Sequence, residues 1–170
     1  MDDVSGFERF CAAAYPELVA ALTHHVGHRW LAEELAQEAL IRAGDRWASV
    51  SKLASPIGWT FRVGANIGNS YFRRRSAEQR ALARLGSDAP SPPPDTHDEV
   101  GVRQALQTLP VKQREVIVLR YYLGMTPDET ATTLGTTSGA VRALSHRAMR
   151  RLRELLVLNQ REESRDVSGS

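Results

Sequence analysis

A proline-rich segment divides the chain and limits what it can fold into. Four of the eight prolines of the 170-residue sequence fall between Ala89 and Asp95. Because proline fixes φ and lacks an amide donor, neither a helix nor a central strand can pass through this stretch. Together with its polar flanks, it predicts an extended linker over residues 86–97. Three further segments follow from this division: a small domain of residues 1–85, a second of residues 98–156, and a polar, disordered tail over residues 157–170.

Both domains are predicted to be helical. Apolar residues recur at three- and four-residue spacing, as between Leu31 and Trp47 in the first domain and between Val141 and Leu155 in the second. Separate apolar stripes precede and follow Pro16, and Ser55-Pro56 has the pattern of an N-cap before a further helix. The sequence contains no alternating Val/Ile/Thr-rich run bounded by hairpin turns. The predicted fold class is therefore all-α, with two small helical domains.

The second domain contains the pattern of a helix-turn-helix. Thr126-Pro127-Asp128-Glu129 is a capping box with proline at the first helical position, and Gly135 is placed to end that helix. Thr136-Thr137 can cap a longer second helix, the element that reads the major groove in such motifs. Polar and basic residues occupy its predicted outer face: Ser138, Arg142, Ser145, His146, Arg147, Arg150, Arg151 and Arg153. The pattern predicts duplex DNA binding, and the alternative is a solvated basic face on a structural helix.

A different polar surface is predicted on the helix that follows Ser55. It combines amides, aromatic rings and guanidinium groups: Arg62, Asn66, Asn69, Tyr71, Phe72, Arg73, Arg74 and Arg75. Rings stack on unpaired bases and arginines follow the backbone, which is the chemistry of single-strand binding. The alternative is that the rings are core residues and the arginines keep the helix end soluble. Gly58, Gly64 and Gly68 are expected to loosen this helix, each by up to roughly 1 kcal/mol relative to alanine.

The formal net charge of +2 is an average over blocks of opposite sign. The blocks carry −5 over residues 1–41, +7 over 42–85, −4 over 86–99, +5 over 100–155 and −1 over 156–170. This segregation predicts two anion-binding surfaces joined by an acidic connector. Arginine supplies 20 of the 22 basic residues and suits bidentate contacts to phosphates and base edges.

Several kinds of site are not expected. The start at Met1 is acidic where a signal peptide would be basic, and no apolar run approaches the roughly 18 residues of a membrane span, which predicts a cytoplasmic chain without membrane contact. Cys11, the single cysteine, excludes an internal disulfide and lies in an apolar stripe as a buried, inert thiol. His24, His25 and His28 lack the adjacent glutamate of a zinc-binding helix and are expected to be exposed histidines. Neither a metal nor a cofactor is predicted.

Three segments, in order, resemble the extracytoplasmic-function (ECF) sigma factors, the smallest group of the sigma-70 family. Glu34–Arg42 is similar to the polymerase-binding helix of that family, and residues 56–75 are similar to its promoter-melting helix. Leu109–Met125 and the helix-turn-helix resemble its second DNA-binding domain. The resemblance spans residues 7–156 and includes both domains and the linker. Glu34 stands where members usually have aspartate, and Leu144 where many have a basic residue.

The resemblance implies a non-enzymatic factor that binds core polymerase and opens promoter DNA. It implies docking on the β and β′ subunits of bacterial RNA polymerase through Leu35, Gln37, Glu38, Leu40 and Arg42. It assigns the helix of residues 56–75 to the minus-ten element, with Asn66 reading a flipped base. It assigns the minus-thirty-five element to Thr137, Ser138, Arg142, His146, Arg147 and Arg150. The acidic linker would lie in the RNA path of the polymerase, and a cognate anti-sigma protein is an implied partner.

Two other classes of function are compatible with parts of the sequence. A free-standing helix-turn-helix regulator would bind duplex DNA as a dimer, although no extended heptad seam is present. A nucleic-acid enzyme would use the second domain for targeting, but the carboxylates are scattered along the chain and form no metal-binding cluster. A regulator should protect an inverted repeat unaided, whereas a sigma factor should require core polymerase for specific binding.

Overall fold

The computed structural model describes the backbone of residues 2–86 and 100–167, and the side chains of residues 5–86 and 101–157. The chain forms two compact units, Met1–His97 and Asp98–Ser170. The described residues form helices and connecting turns without a strand, which confirms the predicted all-α class. Residues 87–97 of the predicted linker lie outside the described residues.

The first unit is a helical bundle in which α1, α2 and α4 pack against one another. Its helices are α1 (Asp2–Val26), α2 (Arg29–Asp45), the short α3 (Trp47–Val50) and α4 (Pro56–Arg84). α1 continues through Pro16, where the sequence predicted two separate stripes. Buried side chains on both sides of the proline, Ala14 and Leu18 among them, hold the two halves of α1 in one helix despite the cost of about 3 kcal/mol for an interior proline. α4 begins as predicted, with the Ser55 hydroxyl accepting a hydrogen bond from the Gly58 amide at 3.1 Å.

Two glycines of α4 let it approach its neighbours closely. A Cβ atom on Gly64 would lie 3.0 and 3.1 Å from the two δ-methyl carbons of Leu22 in α1. A Cβ atom on Gly68 would lie 3.0 Å from Leu35 Cδ1 in α2 and 3.1 Å from Val26 Cγ1. These separations are tighter than ordinary packing allows. The absence of a side chain at Gly64 and Gly68 therefore lets α4 pack closely against α1 and α2. Gly64 and Gly68 therefore lower the helix propensity of α4 and at the same time permit the packing that orders it.

The described part of the second unit contains four helices, the second of which ends in a wider turn. They are α5 (Val100–Gln107), α6 (Val111–Ile117) with a π turn over Val118–Tyr122, α7 (Pro127–Leu134) and α8 (Ser138–Val167). In the π turn the Leu123 amide donates to the Val118 carbonyl, five residues earlier, at 2.9 Å. α8 packs against α5, α6 and α7. It thereby joins two core clusters, one around Ile117 and Ala148 and the other around Val116 and Val141.

The helix-turn-helix has the geometry that its sequence predicts. Thr126 Oγ1 accepts from the Glu129 amide at 3.2 Å, and Glu129 Oε2 accepts from the Thr126 amide at 2.7 Å. α7 ends at Gly135, whose backbone is left-handed with φ 65° and ψ 43°. Thr137 Oγ1 then accepts from the Ala140 amide at 3.2 Å and caps α8. Ala131 and Val141 are buried together with Val116, so α6, α7 and α8 share one core.

α8 is longer than the sequence predicts. A polar, disordered tail is predicted over residues 157–170, whereas the helix continues to Val167. The segment from Ala140 to Val167 contains neither glycine nor proline, so nothing in its backbone chemistry ends the helix earlier.

Candidate polymerase and nucleic-acid interfaces

The five residues of α2 that the resemblance assigns to polymerase binding do not share one environment. Leu35 and Leu40 are 4% and 8% exposed and belong to the core of the first unit. Gln37 and Arg42 are exposed, and Glu38 is half-buried. α2 packs against both α1 and α4, and this explains why its buried stripe is wide enough to include both leucines. The side chains of Leu35 and Leu40 are enclosed within the unit, so their burial gives no support to a direct contact with polymerase.

The exposed face of α2 includes an apolar residue that sequence reasoning missed. Ile41 is 61% exposed and lies one helical turn after Gln37. Beside it, Arg42 Nε and Glu38 Oε1 form an ion pair at 2.8 Å. The spacing of Gln37 and Ile41 at i and i+4 was the available signal, because it places Ile41 outside the buried stripe. The face combines one exposed aliphatic side chain with a paired charge, a composition suited to a protein partner.

The polar set of α4 is divided between two faces of the helix. Arg62, Asn66, Asn69 and Arg73 follow one another at i, i+4, i+7 and i+11, so they form one stripe. Asn66 and Arg73 are exposed, and Arg73 Nη2 donates to Ser70 Oγ at 2.9 Å. Arg74 is also exposed. The stripe presents amide and guanidinium groups together.

Asn69 has a structural contact within this stripe. Its Oδ1 lies 3.0 Å from Nε2 of His25, which is 1% exposed and packs edge-on against Phe61 with ring centroids 5.8 Å apart. The expectation that the histidines are exposed is wrong for His25. The pair joins α1 to α4 directly beneath the polar stripe. The half-buried Asn69 is thus fixed against the core, next to the exposed Asn66 and Arg73 of the same stripe.

The aromatic residues of α4 lie on the second face. Tyr71 and Phe72 are half-buried, with ring centroids 5.4 Å apart in an edge-to-face arrangement, and Arg75 Nη1 donates to Tyr71 Oη at 3.0 Å. They line a cavity of about 140 Å³ together with Trp30, which is 39% exposed, and His28. Tyr71, Phe72 and Arg75 are therefore not brought together with Arg62 and Asn66 in one surface. Trp30 was not predicted, because its position before the apolar stripe of α2 gave no sign that it faces α4.

The predicted duplex-reading residues lie on one side of α8. Arg142, His146, Arg147 and Arg150 are all exposed, at spacings that follow one face of the helix. Thr137 is exposed and caps α8, and the Ser138 hydroxyl donates to the Asp128 carboxylate of α7. Ser145 was predicted on the outer face but is 7% exposed, because it turns toward the interior beside Val141 and Ala148. The row of four basic side chains matches the arrangement by which a recognition helix contacts base edges and phosphates.

The remaining features considered in the sequence are Cys11, a metal site and a membrane-spanning helix. Cys11 was expected to be buried but is only half-buried, and desolvation raises the pKa of its thiol above the ordinary value. No three histidine, cysteine or acidic side chains among the described residues are grouped in a way that could hold a metal ion. Within the same residues, no helix combines the length and apolar character required to cross a bilayer.

Comparison with known proteins gives one consistent result. Residues 100–152 match the family model described as "Sigma-70, region 4". The chain is 31% identical over 158 residues to the RNA polymerase sigma-E factor of Streptomyces coelicolor, covering 92% of this chain and 89% of that protein. It is 32% identical over 153 residues to the ECF RNA polymerase sigma factor SigL of Mycobacterium tuberculosis, covering 83% and 85% of the two chains.

A solved structure agrees with these relatives. The sigma factor RpoE of Bartonella quintana, crystallised in complex with the anti-sigma factor NepR, is similar with a TM-score of 0.73 and 25% identity. The alignment covers 89% of this chain and 96% of that one. With the helix-turn-helix and the matched length of both relatives, the chain belongs to the ECF sigma factors of the sigma-70 family, which are non-enzymatic initiation factors that bind RNA polymerase and promoter DNA.

Proposed function

We propose that the two units divide promoter recognition between them, the second reading the minus-thirty-five element as duplex. The observation that carries the proposal is the exposed row of Arg142, His146, Arg147 and Arg150 on a helix whose start is fixed by Thr137 and by the bond from Ser138 to Asp128. Arg142 and His146, in the first turns, face base edges. Arg147 and Arg150 face phosphates farther along the same helix.

The first unit opens the minus-ten element through the stripe of α4. The exposed Asn66 presents amide donors and an acceptor to an unpaired base, while Arg62, Arg73 and Arg74 follow the backbone of the non-template strand. The His25–Asn69 contact and the close approach at Gly64 support this role, because they hold the stripe on a rigid part of the bundle.

Core polymerase binds the exposed face of α2. We assign this contact to Gln37, Ile41 and Arg42, with Glu38 positioning Arg42 through their ion pair. An aliphatic side chain that is 61% exposed beside polar groups is the pattern of an interface anchor with a polar rim. The factor acts in the cytoplasm, where the polymerase is.

An anti-sigma protein is a further proposed partner. The similar sigma factor of Bartonella quintana was crystallised with such a protein, and the structural alignment covers 96% of that sigma factor. An anti-sigma protein would act by covering the α2 face or the α8 row. Both contacts are required for initiation, so blocking one of them is enough.

The decisive experiment is in-vitro transcription with core polymerase over a library of promoter sequences. The full chain should direct initiation from a subset of the library that shares two elements at fixed spacing. Core polymerase alone, with the same library, provides the baseline. A footprint of the purified chain over a palindrome without polymerase, with no gain of transcription on adding core, would refute the proposed function and favour a dimeric regulator.

A further inference from the structure

The Ser138 hydroxyl at the start of α8 has its proton engaged by a neighbouring helix. It donates to Oδ1 of Asp128, which lies in the first turn of α7. A serine hydroxyl carries one proton and two acceptor lone pairs, and an ionised carboxylate accepts hydrogen bonds without donating any. While the bond to Asp128 is present, Ser138 can therefore accept a hydrogen bond from a ligand but can donate none.

The carboxylate of Asp128 is held for this bond. Asp128 is exposed and forms no ion pair with another described residue, and its backbone carbonyl accepts from Thr132 Oγ1 at 3.0 Å. The neighbouring hydroxyl of Thr137 has the opposite arrangement. Its Oγ1 accepts from the Ala140 amide at 3.2 Å, so its own proton stays available. Two adjacent hydroxyl groups at the start of α8 thus offer opposite hydrogen-bonding chemistry.

The surface around Ser138 is open to a base edge. The half-buried Ser138 precedes Arg142 and His146 at i, i+4 and i+8, so it begins the exposed row of α8. Gly139 beside it is exposed, and a Cβ atom there would have its nearest contact outside the adjacent residues and the helix backbone at 3.9 Å, with Thr137 Oγ1. A serine side chain is short, and the missing side chain at Gly139 lets the helix approach a base closely enough for Ser138 to reach it.

We propose that Asp128, by holding the proton of Ser138, makes the second unit select a base with an exocyclic amino group at one position of the minus-thirty-five element. In the major groove, adenine and cytosine present amino donors, whereas guanine and thymine present oxygen acceptors. A hydroxyl that can only accept pairs with the first two bases and leaves the oxygen of the other two unpaired. The inference rests on the proposed reading of this element and adds Asp128 to it as a positioning residue.

Arg142, the next residue of the row, has the opposite chemistry to Ser138. Its guanidinium group has five donors and no acceptor, and arginine most often contacts O6 and N7 of guanine. Without Asp128, the Ser138 hydroxyl could turn its proton outward and add a second donor beside Arg142. The carboxylate prevents this, and its negative charge also attracts the positive end of an amino group. Neighbouring positions of the helix therefore select opposite classes of base.

The test measures base preference position by position. Holoenzyme containing the unaltered chain or a variant transcribes a promoter library randomised over the minus-thirty-five element, with each promoter marked by a barcode in its transcript. Ser138→Ala identifies the position that Ser138 contacts, because the preference is lost there. At that position the unaltered chain should use adenine and cytosine on one strand about tenfold better than guanine and thymine.

Asp128→Asn should reduce this ratio to less than about threefold, because an amide can both accept from the hydroxyl and donate to it. Glu129→Gln is the matched control: it removes the same charge from the same turn of α7, but Glu129 bonds to Thr126 and not to Ser138. The control should keep the preference for amino bases even though it weakens the cap. The preference at the position read by Arg142 should persist in all three variants.

Several results would overturn the inference. One is an unaltered library profile in Ser138→Ala, and another is a preference for guanine or thymine at the position that this variant affects. Full amino preference in Asp128→Asn, or an equal loss of it in Glu129→Gln, would also overturn the inference. So would a uniform loss of transcription from every promoter in the Asp128 and Ser138 variants, since the pair would then only join two helices.

Two safeguards keep the outcome decisive. Should Asp128→Asn fail to fold, as circular dichroism would show, the class of base affected by Ser138→Ala decides alone. Each result against the inference leaves promoter-dependent transcription by the unaltered chain intact. Failure of the proposed function would instead appear as the absence of that transcription.

Discussion

α2 and α8, two of the three helices with proposed partners, differ in how far their side chains are available for contact. α2 lies against two helices and buries Leu35 and Leu40, two of the five residues that the family resemblance assigns to polymerase. α8 keeps Arg142, His146, Arg147 and Arg150 exposed. The resemblance thus proposes a helix in both cases, and burial shows which of its side chains are available for contact. α2 buries seven of its 17 residues, so its remaining exposed face is narrow, and Ile41 is the exposed aliphatic residue on it.

The largest effect is expected from Leu35→Ala. The substitution removes a core side chain that packs at Gly68, and it should lower the free energy of unfolding by about 2–5 kcal/mol. Ile41→Ala is the matched control on the same helix and should change stability by less than about 0.5 kcal/mol. Urea denaturation of the full chain measures both.

In a core-polymerase binding assay, Ile41→Ala should weaken the complex by about fivefold while the fold is intact. Equal losses of stability in the two variants, or full binding by Ile41→Ala, would contradict the division of α2 into a core face and a contact face.

The next largest effect is expected on α8. Arg142→Ala removes a guanidinium from the first turns of the recognition helix and should cost about 1–3 kcal/mol of discrimination at the upstream element. Competition between matched and mismatched promoters with holoenzyme measures this loss, and core polymerase binding should not change. If the variant loses affinity equally for all sequences, Arg142 contacts phosphate and not a base.

Gly64→Ala tests the close contact of α4 with α1. The new methyl group would meet Leu22 at 3.0 Å, so overpacking should cost about 1–3 kcal/mol, against a gain of up to about 1 kcal/mol in helix propensity. Gly6→Ala in α1 is the control, because its Cβ would make only an ordinary contact with Trp47 at 3.5 Å. Thermal melting should be lowered by the first substitution and unchanged or raised by the second.

The smallest effect concerns the capping box of α7. The hydrogen bond from the Thr126 amide lowers the pKa of the Glu129 carboxyl below its ordinary value. Its stabilising contribution is therefore complete above the ordinary carboxyl pKa and is lost as the pH falls through the lowered one. The melting temperature of Glu129→Gln should fall below that of the unaltered chain at neutral pH, and the difference should vanish under acidic conditions. A difference independent of pH would exclude the carboxylate as its source.

Local chemistry explains what could be predicted from the sequence. The start of α4 at Ser55, the capping box at Thr126 and the left-handed turn at Gly135 each depend on a few adjacent residues, and each is confirmed. Features that depend on a neighbouring helix were missed. Continuity of α1 through Pro16 is one of them, since it follows from packing on both sides of the proline.

In the candidate sites too, features that depend on a neighbouring helix could not be predicted from the sequence. The exposed row of α8 was predictable because its basic residues contrast with one apolar stripe. The separation of Asn66 from Tyr71 on α4 was not, because both positions are polar or amphipathic and only the packing of α2 decides which one faces a neighbour. Ser145 was misplaced for the same reason: a serine fits either side of a helix, and the burial of Val141 and Ala148 beside it sets its direction.

The π turn at Val118–Tyr122 amounts to one residue inserted into a helix. Deleting a single residue there would restore a regular α-helix and remove the wide turn from which Arg120 Nη1 donates to the Met125 carbonyl at 2.6 Å. Arg120 would then leave the carbonyl of Met125, and the capping box of α7 would start at a different angle. The extra residue of the π turn therefore sets the direction in which the helix-turn-helix follows α6. A one-residue deletion in this turn should impair promoter use more than a one-residue deletion in the linker.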